Sequence, residues 1–392
     1  MDQNIQVKLV ERLREADPRL RWSHADRSMA NPAGRYVDED WFRDERQALF
    51  RECAQFVGLS VECARPGDYL TRDCGGVPIL IVRQPDLSLR AFVNACRHRA
   101  APLLKGDGSQ GRRPIVCAYH AWTYGTDGSL LARPHDEGGF DDVDDPCGLL
   151  VRSVVETHGL IFVHPLEGAT AGATEVLHGA EVEFAGYGIE SAHLFDRRET
   201  VWPINWKLLF DTFLEPYHVR FVHRNSIDRT FLSHQLFDVF GPVARPIGLR
   251  RSVLDQLESC QPSDWRLFPH AAAQYVLLPN ALLSYQGDHL ETWRFEPIDG
   301  FSTRVVTSIF APSEPASEQE RAHWQRNFDV LLQVAFEEDF PIQKSIQDNL
   351  RSGAIDHVHY GRLEPALIHC HGTINAMVEA WRDKRGGEDE RR

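Results

Sequence analysis

Four potential metal ligands fall within one short stretch of the chain, and their spacing constrains the fold more than any other feature. Residues 96–120 read CRHRAAPLLKGDGSQGRRPIVCAYH, with Cys96-x-His98 at the start and Cys117-x-x-His120 at the end. The glycine and proline between the two pairs favour turns and loops over regular structure. Two thiolates and two imidazoles on facing loops can enclose zinc or an iron–sulfur cluster, whereas magnesium or calcium prefers oxygen ligands. The stretch therefore predicts a metal centre.

The pairing of cysteine with histidine indicates which centre this is. In a Rieske [2Fe-2S] centre, two cysteines bind one iron and two histidines bind the other. Cys96 and Cys117, with His98 and His120, supply this set from two hairpin loops. Structural zinc is the alternative, because zinc also takes thiolate and imidazole ligands. The asymmetric spacing favours the Rieske cluster.

Size and composition indicate two globular domains in a reducing compartment. The chain has 392 residues, of which 42% are hydrophobic and 26% charged, enough for more than one core. Its net charge of -14 argues against binding to nucleic acid. The start resembles no signal peptide and no apolar run is long enough to span a membrane, so we expect a cytoplasmic protein without a membrane partner. The eight cysteines are expected to be thiols or ligands rather than disulfides.

The pattern of apolar residues predicts an α+β chain with an all-β domain inside it. Helical periodicity occurs at 3–16 and at about 40–56. From 67 to 164, short apolar segments alternate with turn signals, which is typical of an all-β domain. Beyond 165–175, helical segments flank apolar runs such as YVLLPNALLSYQ, which predicts an antiparallel sheet. The predicted parts are a helical segment at 1–56 packing on the C-terminal domain, the all-β domain at 57–165, the α+β domain at 166–383 and a disordered tail at 384–392.

A second group of potential ligands lies in the C-terminal domain. The segment NWKLLFDTFLEPYHVRFVH, 205–223, contains Glu215-x-x-His218-x-x-x-x-His223. On an unbroken helix His218 and His223 would lie about 140° apart and could not face one metal ion. Pro216 favours a kink or an irregular turn, which would let the two side chains converge. Taken alone, the segment could equally be a helix end with two ordinary histidines.

With both motifs present, the sequence resembles the Rieske non-heme iron oxygenases, and within them the α (oxygenase) subunits of the aromatic-ring-hydroxylating family. The resemblance rests on the residues at 96–99, 117–120 and 205–223 and covers nearly the whole chain. The family usually has glycine where this chain has Ala100 and Ala121. The respiratory Rieske proteins carry additional loop cysteines that this loop lacks, so the resemblance is to the oxygenase type.

The resemblance implies a Rieske domain followed by a helix-grip (START-like) catalytic domain with two cofactors. The implied ligands of the [2Fe-2S] cluster are Cys96, His98, Cys117 and His120. A mononuclear Fe(II) would be bound by His218, His223 and Asp339, the last within FEEDFPIQKSIQDNL at 336–350. Glu338 is the alternative carboxylate. Two histidines and one carboxylate leave coordination positions open for dioxygen and substrate.

Glu215 has a separate role in the family pattern. The resemblance implies that the acid at this position joins His120 of a neighbouring subunit to His218, by accepting a hydrogen bond from each imidazole. Most members have aspartate here, and glutamate occurs in members that act on quaternary ammonium compounds. The alternative for Glu215 is an ordinary acid in the first turn of a helix.

The implied function is that of the terminal oxygenase component, which uses dioxygen and electrons from NAD(P)H. It would mono- or dioxygenate, or demethylate, a small organic substrate, expected to be aromatic, with a quaternary ammonium substrate as the alternative. A separate reductase or ferredoxin would supply electrons to a homotrimer or to a ring of three α and three β subunits. Phe213, Val219 and Ala335 match positions in the family's substrate pocket, although apolar residues there are equally expected as core. A Rieske electron carrier or ligand-binding protein without a catalytic iron is the alternative from a different class.

Overall fold

Two compact units make up the chain, Phe50–Val176 and the combination of Met1–Leu49 with the chain from Leu177 onward. The computed structural model describes residues 1–16, 24–135, 139–140, 142–143, 147–261 and 264–389. The N-terminal segment therefore belongs to the same unit as the C-terminal half of the chain.

The helices, in chain order, are α1 (Gln3–Ala16), α2 (Gly34–Val37), α3 (Glu39–Ala48), α4 (Ala173–Leu177), α5 (Glu181–Phe184), α6 (Trp206–Asp211), α7 (Val219–Val222), α8 (Ser252–Ser259), α9 (Glu318–Leu332), α10 (Phe340–Arg351) and α11 (Pro365–Asp389). Short 3-10 turns lie at Ser60–Cys63 and Ile189–Ser191, and the π-helical segment Gln333–Asp339 joins α9 to α10. No helix in the described ranges is both long and apolar enough to cross a membrane.

Two helix ends differ from the sequence-based expectation. The helix expected at about 40–56 ends at Ala48, and Phe56 lies in a strand, where its ring packs against that of Phe162 with centroids 5.8 Å apart. At the other end of the chain, α11 continues to Asp389, whereas the sequence predicted a disordered tail at 384–392. Lysine and arginine, both strong helix formers, precede the glycine pair in this segment. Residues 390–392 lie outside the described residues.

The strands, in chain order, are β1 (Met29–Pro32), β2 (Gln55–Leu59), β3 (Asp68–Cys74), β4 (Val77–Arg83), β5 (Leu89–Val93), β6 (Gly108–Ser109), β7 (Ile115–Val116), β8 (Thr123–Tyr124), β9 (Leu130–Ala132), β10 (Val151–Thr157), β11 (Leu160–His164), β12 (His193–Trp202), β13 (Phe231–Phe240), β14 (Val243–Arg250), β15 (Ala271–Leu277), β16 (Ala281–Tyr285), β17 (Leu290–Asp299), β18 (Ser302–Ala311) and β19 (His357–Tyr360). The short pair β1 and β19 is antiparallel.

The unit Phe50–Val176 is built on antiparallel sheets. In its described residues, one sheet has the strand order β2-β11-β10-β5-β4-β3-β6, and a smaller one has the order β7-β8-β9. Strand β4 is apolar on both faces because a core lies on each side of it. Leu80 belongs to one core, which also contains Cys96 and Cys117, and Ile79 belongs to the other. The sheet thus supports the loops that carry the cysteine–histidine pairs.

The second unit is an antiparallel sheet covered by helices, which confirms the predicted α+β class. Within the described residues its strand order is β12-β18-β17-β16-β15-β14-β13. Helix α6 packs on β17, α10 packs on α6, and α7 contacts β13, so these helices and the sheet enclose the second group of ligands. Helix α3 is tied to α6 by a buried ion pair, with Lys207 Nζ 2.8 Å from Glu45 Oε2.

Candidate metal centres and substrate cavity

Two loops with the same hydrogen-bond pattern carry the two cysteine–histidine pairs. In the first loop, the N–H of Cys96 donates to the carbonyl of Ala101 at 2.8 Å, and the N–H of Ala100 donates back to Cys96 at 2.9 Å. Cys117 and Ala121 repeat both bonds in the second loop, at 2.8 and 3.0 Å. Ala100 and Ala121 have φ angles of 54° and 56°, in the left-handed region that favours glycine. These are the two positions at which the family usually has glycine.

The potential cluster ligands lie together at the ends of these loops. Cys96 and Cys117 are buried in one apolar cluster, and the rings of His98 and His120 have centroids 4.5 Å apart. The ring of His98 stacks on Trp122, with centroids 5.1 Å apart, and its Nδ1 atom is buried without a hydrogen-bond partner. A buried polar atom without a partner is rare unless a ligand binds it. Two thiolates, two imidazoles and this unsatisfied nitrogen fit a Rieske cluster.

Tyr124 contacts one of the two cysteines. Its hydroxyl oxygen lies 3.3 Å from Cys96 Sγ and accepts a hydrogen bond from the N–H of Arg97 at 3.0 Å. Burial and the interaction with Cys96 raise the pKa of Tyr124, so the hydroxyl keeps its proton and can donate it to the sulfur. An aromatic residue near the second loop was the only signal for this contact in the sequence.

A break in the helix brings the two histidines of the second site together. Helix α6 ends at Asp211 and α7 begins at Val219, and the turns between them contain Pro216. The rings of His218 and His223 consequently have centroids 5.1 Å apart. The irregular turn predicted from the proline is therefore confirmed.

Asp339 reaches the same point from a distorted helix. It is the last residue of the π-helical segment, which is capped by Phe340, whose N–H donates to the carbonyl of Ala335 five residues earlier. Its Oδ1 lies 3.1 Å from His223 Nε2 and 3.6 Å from His218 Nε2. One ligand atom from each of the three residues lies within 4.8 Å of the others. Ligands about 2.1 Å from a metal ion and at right angles are about 3 Å apart, so this spacing suits one ion.

Two further carboxylates hold the histidine rings from behind. Glu215 Oε1 lies 2.5 Å from His218 Nδ1, and Glu338 Oε2 lies 2.6 Å from His223 Nδ1. Each ring therefore uses Nδ1 for a carboxylate and directs Nε2 toward Asp339, the arrangement typical of metal-binding histidines. Although burial alone would lower it, Asp339 and Glu338 raise the pKa of His223 above its ordinary value. The site is thus anionic and suited to a cation.

The two histidines and Asp339 fit Fe(II) by type and number, because two imidazoles and one carboxylate form the facial set of non-heme iron oxygenases. Asp339 approaches both Nε2 atoms, whereas Glu338, the alternative carboxylate, contacts the opposite nitrogen of His223. Sequence analysis considered Glu338 only as an alternative metal ligand. It did not predict the contact with His223, because the two residues are 115 positions apart in the chain.

A cavity of about 380 Å³ opens beside these residues, and His218, His223 and Asp339 form part of its wall. Phe213, Val219 and Ala335, the predicted pocket residues, also line it. Sequence analysis missed the polar part of the wall, which includes Gln235, Arg250, Gln274, Ser284, Gln286, His289 and Glu291. The available signal was the presence of polar residues within otherwise apolar strands, as at the end of YVLLPNALLSYQ.

Known proteins match both units of the chain. The family model for the Rieske [2Fe-2S] domain matches residues 54–149, and that for the ring hydroxylating alpha subunit (catalytic domain) matches residues 189–380. The carnitine monooxygenase oxygenase subunit of Acinetobacter pittii is 35% identical over 227 residues, covering 57% of this chain and 59% of that protein. The subunit of the same name from Escherichia coli is 27% identical over 366 residues, covering 90% and 94%.

Solved structures have the same fold. The quaternary ammonium Rieske monooxygenase CntA, in complex with L-carnitine, matches with a TM-score of 0.74 at 23% identity over 94% of this chain and 97% of the other. Fold, site and matched families define a protein with a Rieske domain and a ring-hydroxylating catalytic domain. The chain thus carries both domains of the oxygenase (α) subunits of Rieske non-heme iron oxygenases, as the motifs predicted. The cofactors of these two domains are a [2Fe-2S] cluster and a mononuclear iron.

Proposed function

We propose that this chain is the terminal oxygenase component of a Rieske oxygenase and transfers oxygen from dioxygen to a small organic substrate. The observation that carries the proposal is that His218, His223 and Asp339 meet at the wall of a cavity of about 380 Å³. When bound there, iron supplies dioxygen activation with electrons that arrive through the cluster. The chain's own residues bind both cofactors, position the substrate and exclude water.

We assign the cluster to Cys96, His98, Cys117 and His120, and the mononuclear iron to His218, His223 and Asp339. The carboxylates of Glu215 and Glu338 keep the proton on Nδ1 of His218 and His223, which leaves each Nε2 atom free to bind the metal. These roles of Glu215 and Glu338 rest on contacts within one subunit.

The substrate cavity is apolar beside the metal-site residues. Phe213 and Trp293 have ring centroids 4.8 Å apart. Trp293 also packs against Phe336 and Phe340, which precede and follow Asp339 in the chain. Such a wall holds an apolar group next to the metal ligands by removing it from water. The proposed pocket residues Val219 and Ala335 extend this surface.

Glu215 also has a proposed role between subunits. Its Oε1 atom contacts His218, and its side chain is 13% exposed, which is compatible with a second imidazole from outside the subunit. We propose that this imidazole is His120 of a neighbouring subunit in a trimer, or in a ring of three α and three β subunits. A reductase or ferredoxin would deliver the electrons. A reducing, cytoplasmic location would keep the cysteines available as thiols and cluster ligands.

Two substrate classes suit the cavity. Aromatic rings beside the metal ligands favour an aromatic substrate through stacking and burial. The same rings could hold a quaternary ammonium group by cation–π attraction, and two relatives bear the name of carnitine monooxygenase. Reaction of a mixed panel of aromatic acids, phenoxy compounds and betaines with a surrogate reductase separates the two classes and shows whether oxygen is inserted or a methyl group is removed.

Iron analysis tests the proposal directly. Wild-type protein loaded anaerobically with Fe(II) should contain about three irons per chain, and His218→Ala or His223→Ala should contain about two with an unchanged cluster spectrum. His357→Ala, at an exposed histidine on β19, is the matched control and should keep all three. A wild-type protein with two irons would instead be an electron carrier or ligand-binding protein, and zinc without acid-labile sulfide would remove the cluster assignment.

A further inference from the structure

An unpartnered amide lies in the cavity wall. The Nε2 group of Gln235 is buried without a hydrogen-bond partner, and the residue is only 4% exposed. Gln235 lies on β13, where it faces Gly248 of β14, and both residues line the cavity that His218 and His223 also line. Burying an amide donor without an acceptor destabilises a folded protein, so such a group is rare unless a ligand supplies the acceptor.

Neighbouring polar groups of the wall, by contrast, are paired with one another. Gln286 Nε2 donates to Ser284 Oγ and to Glu291 Oε2, both at 3.1 Å. His289 Nε2 lies 3.3 Å from Glu291 Oε1. These side chains satisfy each other within the protein, whereas the Nε2 group of Gln235 has no acceptor within the protein.

Charged side chains of both signs stand in this wall. Although burial alone would lower it, hydrogen bonds to Asp288 and Glu291 raise the pKa of His289 to about 9, so its ring is protonated at neutral pH. The guanidinium of Arg250 donates to main-chain carbonyls, including that of Ala271 at 3.1 Å. Arg250 and His289 thus stand in the polar part of the wall with Glu291, and the carboxylates of Glu215 and Asp339 also line the cavity.

The wall changes from apolar to polar along the sheet. Trp293 of β17 faces Leu282 of β16, and two residues away on each strand Glu291 faces Ser284. Residues two apart in a strand share a face and lie about 7 Å from each other. The cavity therefore suits a molecule with an apolar part and a polar group within one small framework.

We propose that the substrate of this oxygenase carries an acceptor oxygen, in a carboxylate or a carbonyl group, that accepts a hydrogen bond from Gln235 Nε2. The inference rests on the oxygenase function proposed above and names the class of substrate that the cavity selects. Gln235 is then a specificity-determining residue, because a substrate without the acceptor leaves its amide unsatisfied.

Isothermal titration calorimetry with the oxidised, iron-loaded protein under anaerobic conditions tests this substrate class. It uses two series of compounds, each built on one carbon framework. The first compares 3-phenylpropionate and 3-phenylpropionamide with propylbenzene, and the second compares trimethylammoniobutanoate with butyltrimethylammonium. On at least one framework the acceptor should strengthen binding about tenfold, and Gln235→Met should remove that advantage, since one hydrogen bond is worth about this factor. Tighter binding of the acid than of the amide identifies a carboxylate, and equal binding identifies a carbonyl.

Gln256→Met on α8 is the matched control, because Gln256 is also buried with one unpartnered amide atom but does not line this cavity among the described residues. It should leave the preference intact. Gln235→Met should also keep or raise the unfolding temperature, since it removes an unsatisfied donor. If Gln235→Met does not fold, Gln235→Leu replaces it in the binding experiment. The inference is overturned if the acceptor gives no advantage on either framework in wild type, or if the advantage survives in the variant. Iron content and turnover report separately on the oxygenase function.

Discussion

The carboxylate of Glu338 accepts a hydrogen bond from Nδ1 of His223, with Oε2 2.6 Å from the nitrogen. Ser226 Oγ donates to the same oxygen at 2.7 Å, and Gln333 Nε2 donates to the other at 3.0 Å. The carboxylate is therefore held in place and fixes the imidazole plane. This contact orients the ring of His223, the proposed iron ligand, within one subunit.

We expect Glu338→Gln to weaken iron retention, because the amide can no longer offer two acceptor oxygens to its three donors. Loss of such an outer contact typically costs about 10- to 100-fold in metal affinity. The measurement is the rate at which a chelator removes the mononuclear iron, with the cluster spectrum as internal reference. Glu337→Gln, at the preceding acid, is the control. Equal iron loss from all three proteins would show that Glu338 does not support the ligand.

Glu215→Gln should affect electron transfer even when both metal centres are filled. The amide keeps the length but has one acceptor oxygen, so one of the two proposed imidazole contacts loses its charge-assisted bond. After anaerobic Fe(II) loading, we expect the reduced cluster to oxidise roughly 10- to 100-fold more slowly in single turnover with substrate and dioxygen. Loaded Glu338→Gln should oxidise its cluster at the normal rate. A normal rate in Glu215→Gln would make Glu215 an ordinary helix acid.

Replacing Ala100 or Ala121 with glycine should stabilise the cluster loops. Both alanines have φ near 55°. A left-handed conformation costs an alanine about 1 kcal/mol more than a glycine. Part of the stability gained with glycine is lost again, because glycine has more conformational freedom in the unfolded chain. We expect a gain of roughly 0.5 kcal/mol for each. The readout is the temperature at which the cluster absorbance is lost. Ala118→Gly, which lies in the second loop without a positive φ, should lower this temperature instead.

Tyr124→Phe should make the cluster harder to reduce. The hydroxyl lies 3.3 Å from Cys96 Sγ, and a hydrogen bond to a cluster thiolate stabilises the more negative, reduced state. We expect the reduction potential to fall by tens of millivolts in a spectroelectrochemical titration, with iron content unchanged. Tyr69→Phe, at a tyrosine that packs against the same core, is the control and should keep the wild-type potential. A fall of the same size in both variants would contradict this role for Tyr124.

Lys207→Met should destabilise the second unit, because it leaves the buried Glu45 carboxylate without its cation. Both side chains are essentially inaccessible, and breaking one partner of such a pair costs about 3 to 5 kcal/mol. The double variant Glu45→Gln with Lys207→Met should recover most of the loss, because glutamine can still accept the bond from Trp206 Nε1 that Glu45 now accepts at 2.9 Å. Thermal unfolding midpoints measure both. Additive losses would mean that the pair is not coupled.

Local spacing was sufficient to predict much of the candidate site. The cysteine–histidine pairs around residues 96 and 117 lie within single loops, so their sequence intervals already encode their geometry. The same is true of the break at Pro216, which explains how His218 and His223 converge. Asp339 was predicted as a ligand only from the family resemblance. Local spacing cannot predict its contacts, because it lies more than a hundred positions from His218 and His223 in the chain. The end of α3 was misjudged, since helical periodicity continued into residues that pair as β2.

The sequence by itself determined the class of protein, the two cofactors and the residue types proposed to hold them. Only the tertiary structure decided which carboxylate approaches the Nε2 atoms, which one holds the opposite nitrogen of His223, and that Gln235 is left without an acceptor. The physical reason is that these outcomes depend on directions of side chains from separate strands and helices. Ligand type follows from local chemistry, whereas hydrogen-bond satisfaction is decided when distant elements pack against each other.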